Sequence, residues 1–364
     1  MAWVCAALLG GLGMGPLEDS GARQDALQSS AGLRAVERSV PEHGGSSVEM
    51  FPWLTPSIQA LTVAKDHTVY AGSFGMGIFR SSSRGESWSQ MNSGLGDLFI
   101  LSLNEAQNGA IYAGTLRAGV FRSKDRGKSW HAVNKGLRVL QVKALLAQGS
   151  VIYAGTGDGV YRLAENADLW TVVTKGLGET LVHALAMAPD NTLYAGTSGK
   201  GLLRYTAKAS RWTRLRHGLV DHERLVENFI RVLTVDRNHS LYAGTFDSGV
   251  FLSRDGGLTW KPISRALPND SIRGIVINKR GLFVATGRGI FKSVNKGQRW
   301  TPINNGLTNL ATQVLADSRD GSLYVGTSTG VFRSDDGKSW ISISKGIQLP
   351  SEAPHKESGG EDGR

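Results

Sequence analysis

Cysteine is nearly absent: Cys5 stands alone in 364 residues, so no intrachain disulfide can form. That scarcity leaves the redox compartment open, because a chain of this size can bury a core that needs no covalent staple. Also missing between positions 50 and 348 is any run of roughly 18 uninterrupted apolar residues, which excludes a membrane-spanning helix there. No phosphate-cradling glycine loop, no Ser–His–Asp order and no Cys/His metal spacing occurs, so neither a cofactor nor a metal is expected. Apolar residues nevertheless make up 40% of the chain, enough to exclude global disorder.

What is present is a period. Trp88, Trp130, Trp170, Trp212, Trp260, Trp300 and Trp340 follow one another at intervals of 42, 40, 42, 48, 40 and 40 residues. Each closes a phrase close to L-Y-A-G-T-x-x-G-V-F-R-S-x-D-x-G-x-S-W. Four short strand-like runs fill each unit: an apolar run such as Val142-Lys143-Ala144-Leu145, the Tyr-Ala-Gly strand, the Gly-Val-Phe-Arg strand, and a strand carrying the tryptophan. A period near forty residues with this content predicts an all-β fold, a seven-bladed β-propeller of four-stranded antiparallel blades. Seven such units fit in residues 50–348 with no strand left over.

The turn after the third strand resembles the Asp-box, or BNR, repeat with its pattern S-x-D-x-G-x-[ST]-W. Ser123-Asp125-Gly127-Ser129-Trp130 and Ser253-Asp255-Gly257-Thr259-Trp260 match it fully. Unit six has Asn295 before Trp300 in the aspartate position, and unit one has Ser83. In unit seven Asp335 takes the box position, one residue short, before Trp340; units three and four keep only Trp170 and Trp212. The resemblance spans some 300 residues and implies a propeller. It does not select a function, since Asp-box propellers include sialidases, xyloglucan hydrolases, sortilin-type receptors and a photosystem II assembly factor. The G-H…W-D pairing of WD40 repeats is absent.

The box aspartates read as structural: an Asp in a tight hairpin accepts the turn's own amides while glycine supplies positive φ. A basic column, Arg80, Arg122, Arg162, Arg204, Lys292 and Arg333, follows the third-strand aromatic. Folding the hairpin at Arg84 pairs position 80 with 88, which predicts that each cation faces its own unit's tryptophan. Six of the net +10 charges are then a by-product of repetition, and nucleic acid is not expected as a partner.

Function is sought where the units differ. The second position of each inner strand reads Gln59, Leu101, Lys143, His183, Arg231, Arg273 and Gln313, a column predicted to ring the axis. Loops between the second and third strands on the same face add Arg117, Lys200 and Arg288, against Asp158 and Asp247. The mouth is therefore expected to be net basic; the same side chains would also suit a water-filled channel. The 48-residue spacing marks an insertion at Val220 to Phe229, where His222 and Glu223 are candidate partner contacts. His222-Glu223 lacks the second histidine of a zinc-protease helix, because Val226 stands there.

No catalytic residue is assigned. A sialidase needs an arginine clamp and a Tyr–Glu pair, and its F-R-I-P motif is missing; a xyloglucan hydrolase sets two carboxylates between two propellers. The expectation is a binding or scaffold module for a protein or an anionic glycan, acting as a monomer, with a glycoside-hydrolase-like or carbohydrate-binding role as the alternative. Met1 to Gly15 is uncharged and apolar, which reads as an atypical secretory signal or an apolar leader, so a secreted or periplasmic location is expected. Residues 16–49 and 349–364 read as disordered flanks.

Overall fold

The computed structural model describes residues 57–347, except 174–176, 178, 208–209, 221–226, 266 and 269–270. These residues form seven separate four-stranded antiparallel sheets and contain no α-helix. Blade 1 comprises Ile58–Val63, Val69–Ser73, Ile78–Ser81 and Ser89–Gln90, paired in chain order, and each later blade repeats this plan. The inner strands are Ile58–Val63, Ile100–Glu105, Val142–Gln148, Val182–Met187, Ile230–Val235, Ile272–Asn278 and Thr312–Asp317. Each packs on the next, and the last packs on the first, which closes the ring. The fold is a seven-bladed β-propeller.

The core lies between blades rather than within them. Seven apolar clusters occur, and each joins residues of two adjacent blades. Ile58, Phe79 and Trp88 of blade 1, for instance, share a cluster with Tyr324, Val331 and Ile343 of blade 7. Close approach needs a missing side chain at one point. A Cβ on Gly72 would meet Ile100 Cγ2 at 2.5 Å, and one on Gly326 would meet Ile58 Cγ2 at 2.6 Å. The glycine of the Tyr-Ala-Gly strand is thus the seat of the next blade's inner strand. Blade 6 carries Ala285 there, and its neighbour begins with Thr312 where most of the others have Ile or Val.

Six of the seven tryptophan rings are stitched to the preceding blade. Trp130 Nε1 donates to Met91 O at 2.9 Å, Trp170 Nε1 to Val133 O at 2.6 Å and Trp340 Nε1 to Ile303 O at 2.6 Å. Trp300 Nε1 likewise reaches Ile263 O at 2.8 Å. Trp260 differs, donating within its own hairpin to Gly257 O at 3.0 Å. The seam between the last and first blades is closed by the same device, Trp88 Nε1 to Ile343 O at 2.6 Å. There Arg84 adds an ion pair to Asp320 at 2.7 Å and a bond to Ser322 Oγ at 2.9 Å.

The outer hairpin corrects two sequence expectations. Arg80 pairs with Ser89 and Arg122 with His131, one residue past the tryptophan, so the basic column does not face the indole rings. The guanidinium groups instead bind the next blade: Arg80 Nη1 donates to Arg126 O at 3.0 Å, Arg122 to Ala167 O at 3.1 Å, and Arg333 to Arg84 O at 2.9 Å. Lys292 alone of the column lies over a ring, that of Phe283 at 5.3 Å. The second correction is in blade 7, where Asp336 rather than Asp335 fills the box. Asp336 accepts Ser339 N at 2.9 Å and Ser339 Oγ at 2.8 Å, while Asp335 pairs with Arg333 at 3.1 Å.

Asp125 and Asp255 close their hairpins as a box aspartate should. Asp255 accepts Ser253 Oγ at 2.8 Å, Thr259 N at 2.9 Å and Thr259 Oγ1 at 2.5 Å. The Thr259 hydroxyl and amide pull its carboxyl down to about 2 from the ordinary 3.8. A depressed folded-state value adds stability above about pH 4, and that stability is lost as pH falls towards 2. Asn295, with its own bonds to Ser293 Oγ at 2.9 Å and Arg299 N at 2.9 Å, shows what an amide preserves. Asp255→Asn is therefore expected to lower the melting temperature at pH 7 by a few degrees and to leave any ligand binding intact. The difference from the parent should vanish in melts near pH 2; a normal melt with abolished binding would reverse the assignment.

Candidate functional site

Every inner strand carries a β-bulge at its second residue. Ser73 pairs with Ile58 and Gly72 with Ala60, which leaves Gln59 outside the ladder. The same shift isolates Leu101, Lys143, His183, Arg231, Arg273 and Gln313. A bulge adds a residue that the partner strand does not match and re-aims its side chain. In the ring these residues are part-buried, each following a fully buried strand-opening residue, as a lining of the central mouth requires.

The column is lopsided. Lys143, His183, Arg231 and Arg273 occupy blades 3 to 6, while Gln313, Gln59 and Leu101 complete the circle with neutral side chains. The charged arc is electrically coupled. Burial, then Lys143 and Arg231, push the His183 imidazole down to about 4. Burial and the neighbouring Arg273 bring Arg231 down to about 10. Lys143 is lowered by burial and by Arg231, and Arg273 by burial. Among the described residues none of the four makes an ion pair. Arg273 Nη1 donates to Gln313 Oε1 at 3.0 Å, but its buried Nε has no hydrogen-bond partner. Arg231 lies over the Phe246 ring at 5.8 Å.

The loop residues on this face behave differently from the arc. Arg117 is tied to the buried Asp97 at 2.9 Å and lies over Phe99 at 4.5 Å; Lys200 Nζ donates to Leu177 O. Asp158 is buried and accepts Thr156 Oγ1 at 2.7 Å and Tyr161 OH at 2.9 Å, with Arg138 at 3.2 Å. Asp247 accepts Ser248 Oγ at 3.1 Å. Arg288 is exposed, and among the described residues its guanidinium has no ion pair. His222 and Glu223 lie outside the described residues. Of the predicted site, the structure brings together Lys143, His183, Arg231 and Arg273.

Sequence reasoning missed the loops that lead into the inner strands. Phe99 meets Phe74 edge-on at 4.6 Å, and Leu98, Leu140, Phe229 and Leu310 are exposed beside the mouth. Their signal was an apolar residue one or two places before the bulged strands of blades 2, 3, 5 and 7. Asp97, Glu227 and Asn309 hold these loops by accepting Phe99 N at 3.2 Å, Phe229 N at 2.7 Å and Ala311 N at 2.8 Å. Among the described residues no three His, Cys, Asp or Glu side chains gather as a metal site would require.

No protein-family model matches the sequence, and no curated protein is detectably similar to it. Solved propellers are similar in fold. One is the extracellular domain described as that of a hybrid two-component system of B. thetaiotaomicron, with TM-score 0.64, 17% identity, and 76% of this chain against 38% of that one covered. A second is a GH74 enzyme of Niastella koreensis, with TM-score 0.63, 16% identity, and 80% against 55% covered. A third is YCF48 bound to D1 peptide, with TM-score 0.63, 13% identity, and 79% against 96% covered. The chain spans less than two thirds of the length of the first two. The likeness defines the fold class, a seven-bladed β-propeller with neighbours among extracellular domains, an enzyme of the GH74 kind and YCF48.

Proposed function

We propose that this propeller is an exported, monomeric, non-catalytic binding module that takes an anionic group of a protein or glycan partner at its axial mouth. The observation that carries the reading is the arc of Lys143, His183, Arg231 and Arg273 at the bulge positions of four consecutive blades. Like charges held together and half-buried repel one another, and each is pushed towards its neutral form. A ligand that brings negative charge relieves that repulsion. The fully matching hairpins at Asp125 and Asp255 support membership of the Asp-box repeat class, and the extracellular neighbours support export.

Salt and mutation test this together. The probes are a fluorescein-labelled polyglutamate peptide and a heparin oligosaccharide, titrated from 50 to 500 mM salt (set by the screening length of about 10 Å at 0.1 M). Affinity is expected to fall steeply with salt, and Arg231→Ala with Arg273→Ala to abolish binding. The double variant should melt no lower than the parent, because both side chains leave the ladder at bulges and each repels its neighbours. Binding indifferent to both salt and the double change would reduce the arc to a channel lining.

A neutral glycan is the second reading. Exposed Phe229 and Phe246 favour it, since sugars stack on aromatic faces, and so does the GH74 neighbour's fold. Against it, Phe246 already carries Arg231, and the carboxylates Asp97 and Asp158 are buried in local bonds.

A further inference from the structure

Resting on the basic-mouth reading, we infer that the arc binds a compact dianionic oxyanion, a sulfate or phosphate group, and that binding is coupled to uptake of one proton by His183. The shape of the donor set argues for the oxyanion. Donors arrive from four successive inner strands of the closed ring, so they approach a central group from several sides. A carboxylate offers two oxygens in a plane; a tetrahedral oxyanion offers four, spread in three dimensions. Guanidinium groups fork onto such oxygens, and Arg273 Nε is a buried donor that no group of the protein takes up.

Charge argues in the same direction. With His183 neutral the arc carries three cations, and none of the seven bulge residues is a carboxylate. One carboxylate would offset one of them, whereas a dianion offsets two, the number that act on His183, and so favours a positive charge at that position. His183 is placed to supply it. It stands between Lys143 of the preceding inner strand and Arg231 of the following one, with Arg273 beyond. On its own blade's second strand, Leu193–Thr197, the one titratable group is Tyr194, which answers to Arg204 and Asp190.

Those cations and burial keep the imidazole neutral in the empty mouth. A dianion offsets the Lys143 and Arg231 charges that act on His183, so a solvent proton adds to the free imidazole nitrogen as the ligand seats. Linkage is reciprocal: if the oxyanion raises proton affinity, protonation raises oxyanion affinity. Taking the empty-site value of about 4 for His183, a rise of two units on binding makes affinity about tenfold higher at pH 5 than at pH 7.

Calorimetry with the full chain and sodium sulfate tests this, because sulfate does not titrate in that range. Titrations at pH 5 in two buffers of different ionisation enthalpy count the protons. Uptake of close to one proton per sulfate is expected, with acetate at least tenfold weaker. His183→Gln should bind sulfate more weakly at pH 5, with no uptake and less than twofold change in affinity between pH 5 and 7. Comparison of inorganic phosphate with glucose 6-phosphate at pH 8, where both are dianions, separates the sources: equal affinity assigns the site to the free ion, tighter glucose 6-phosphate to a group carried on a larger molecule. Sulfate bound without uptake, uptake that persists in His183→Gln, or acetate as good as sulfate each overturns the inference. If polyglutamate binds with the salt and arginine dependence given above while sulfate does not bind, the basic-mouth reading stands and this inference falls.

Discussion

Trp130→Ala is expected to cost about 3–5 kcal/mol in a urea titration at 25 °C. The indole is 2% exposed and belongs to the cluster between blades 1 and 2, among Tyr70, Phe121 and Leu103. Removing it opens a cavity between two sheets whose backbones are pinned by their own ladders and cannot collapse into it. It also takes away the partner of Met91 O, a carbonyl that then loses its bond at 2.9 Å. An unmet buried acceptor adds about 1 kcal/mol or more to the cavity term. Trp300 provides the contrast, being only partly buried, and Trp300→Ala should cost less. A loss below about 1 kcal/mol for Trp130→Ala would mean that the ring does not support the blade interface.

The second large effect needs only a methyl group. Gly94→Ala should destabilise by about 2–5 kcal/mol, from left-handed backbone strain together with overpacking. Gly94 has φ of 84°, and a Cβ there would stand 2.2 Å from Trp130 O. The obstacle is a main-chain carbonyl of the next blade, which cannot swing aside as a side chain can. Trp130 N already donates to Ser93 O at 2.9 Å, so the two chains are clamped where the methyl would intrude. Gly136, Gly218 and Gly306 meet Trp170, Trp260 and Trp340 in the same way, at 2.3, 2.4 and 2.0 Å. Denaturant titration of Gly94→Ala beside Asn92→Ala, which removes the side-chain bonds to Ile78 N and Met76 O but adds no clash, separates the clash from a general loosening of the loop.

Blade number and strand order were legible because repetition states the same pattern seven times, and buried tryptophans mark each unit. Register at the outer hairpin was not. A one-residue difference in turn length decides whether Arg80 opposes Trp88 or Ser89, and that length is set by hydrogen bonds to Ser81 and Ser83 that composition does not reveal. Blade 7 failed for a related reason: Asp335 and Asp336 are adjacent and chemically identical, and only the carboxylate that reaches Ser339 closes the turn. The axial column was found from its position in the strand. Its geometric cause, seven bulges, left no mark in the residues, since Gln, Leu, Lys, His and Arg all occupy it. Phe99 escaped notice because it lies in a loop before an inner strand, whereas aromatic contacts were sought only after the second strands; Phe229 was read only as the end of the insertion.

The bulges free the mouth from the arithmetic of the sheet. A residue outside the ladder has no cross-strand partner in its own blade, so its side chain can change while the blade's pairing stays as it is. Seven such positions face one axis, each on a different strand and separated in sequence by roughly one repeat period. Substitution at one of them alters one sector of the opening and leaves the strand pairing of the other six blades as it was. The ring therefore behaves as a rigid frame with interchangeable teeth. Exchanging Leu101 for a cation would extend the charged arc, and exchanging Arg231 for glutamine would shorten it. Selectivity could drift from anion to neutral ligand through single steps, with no intermediate that fails to fold.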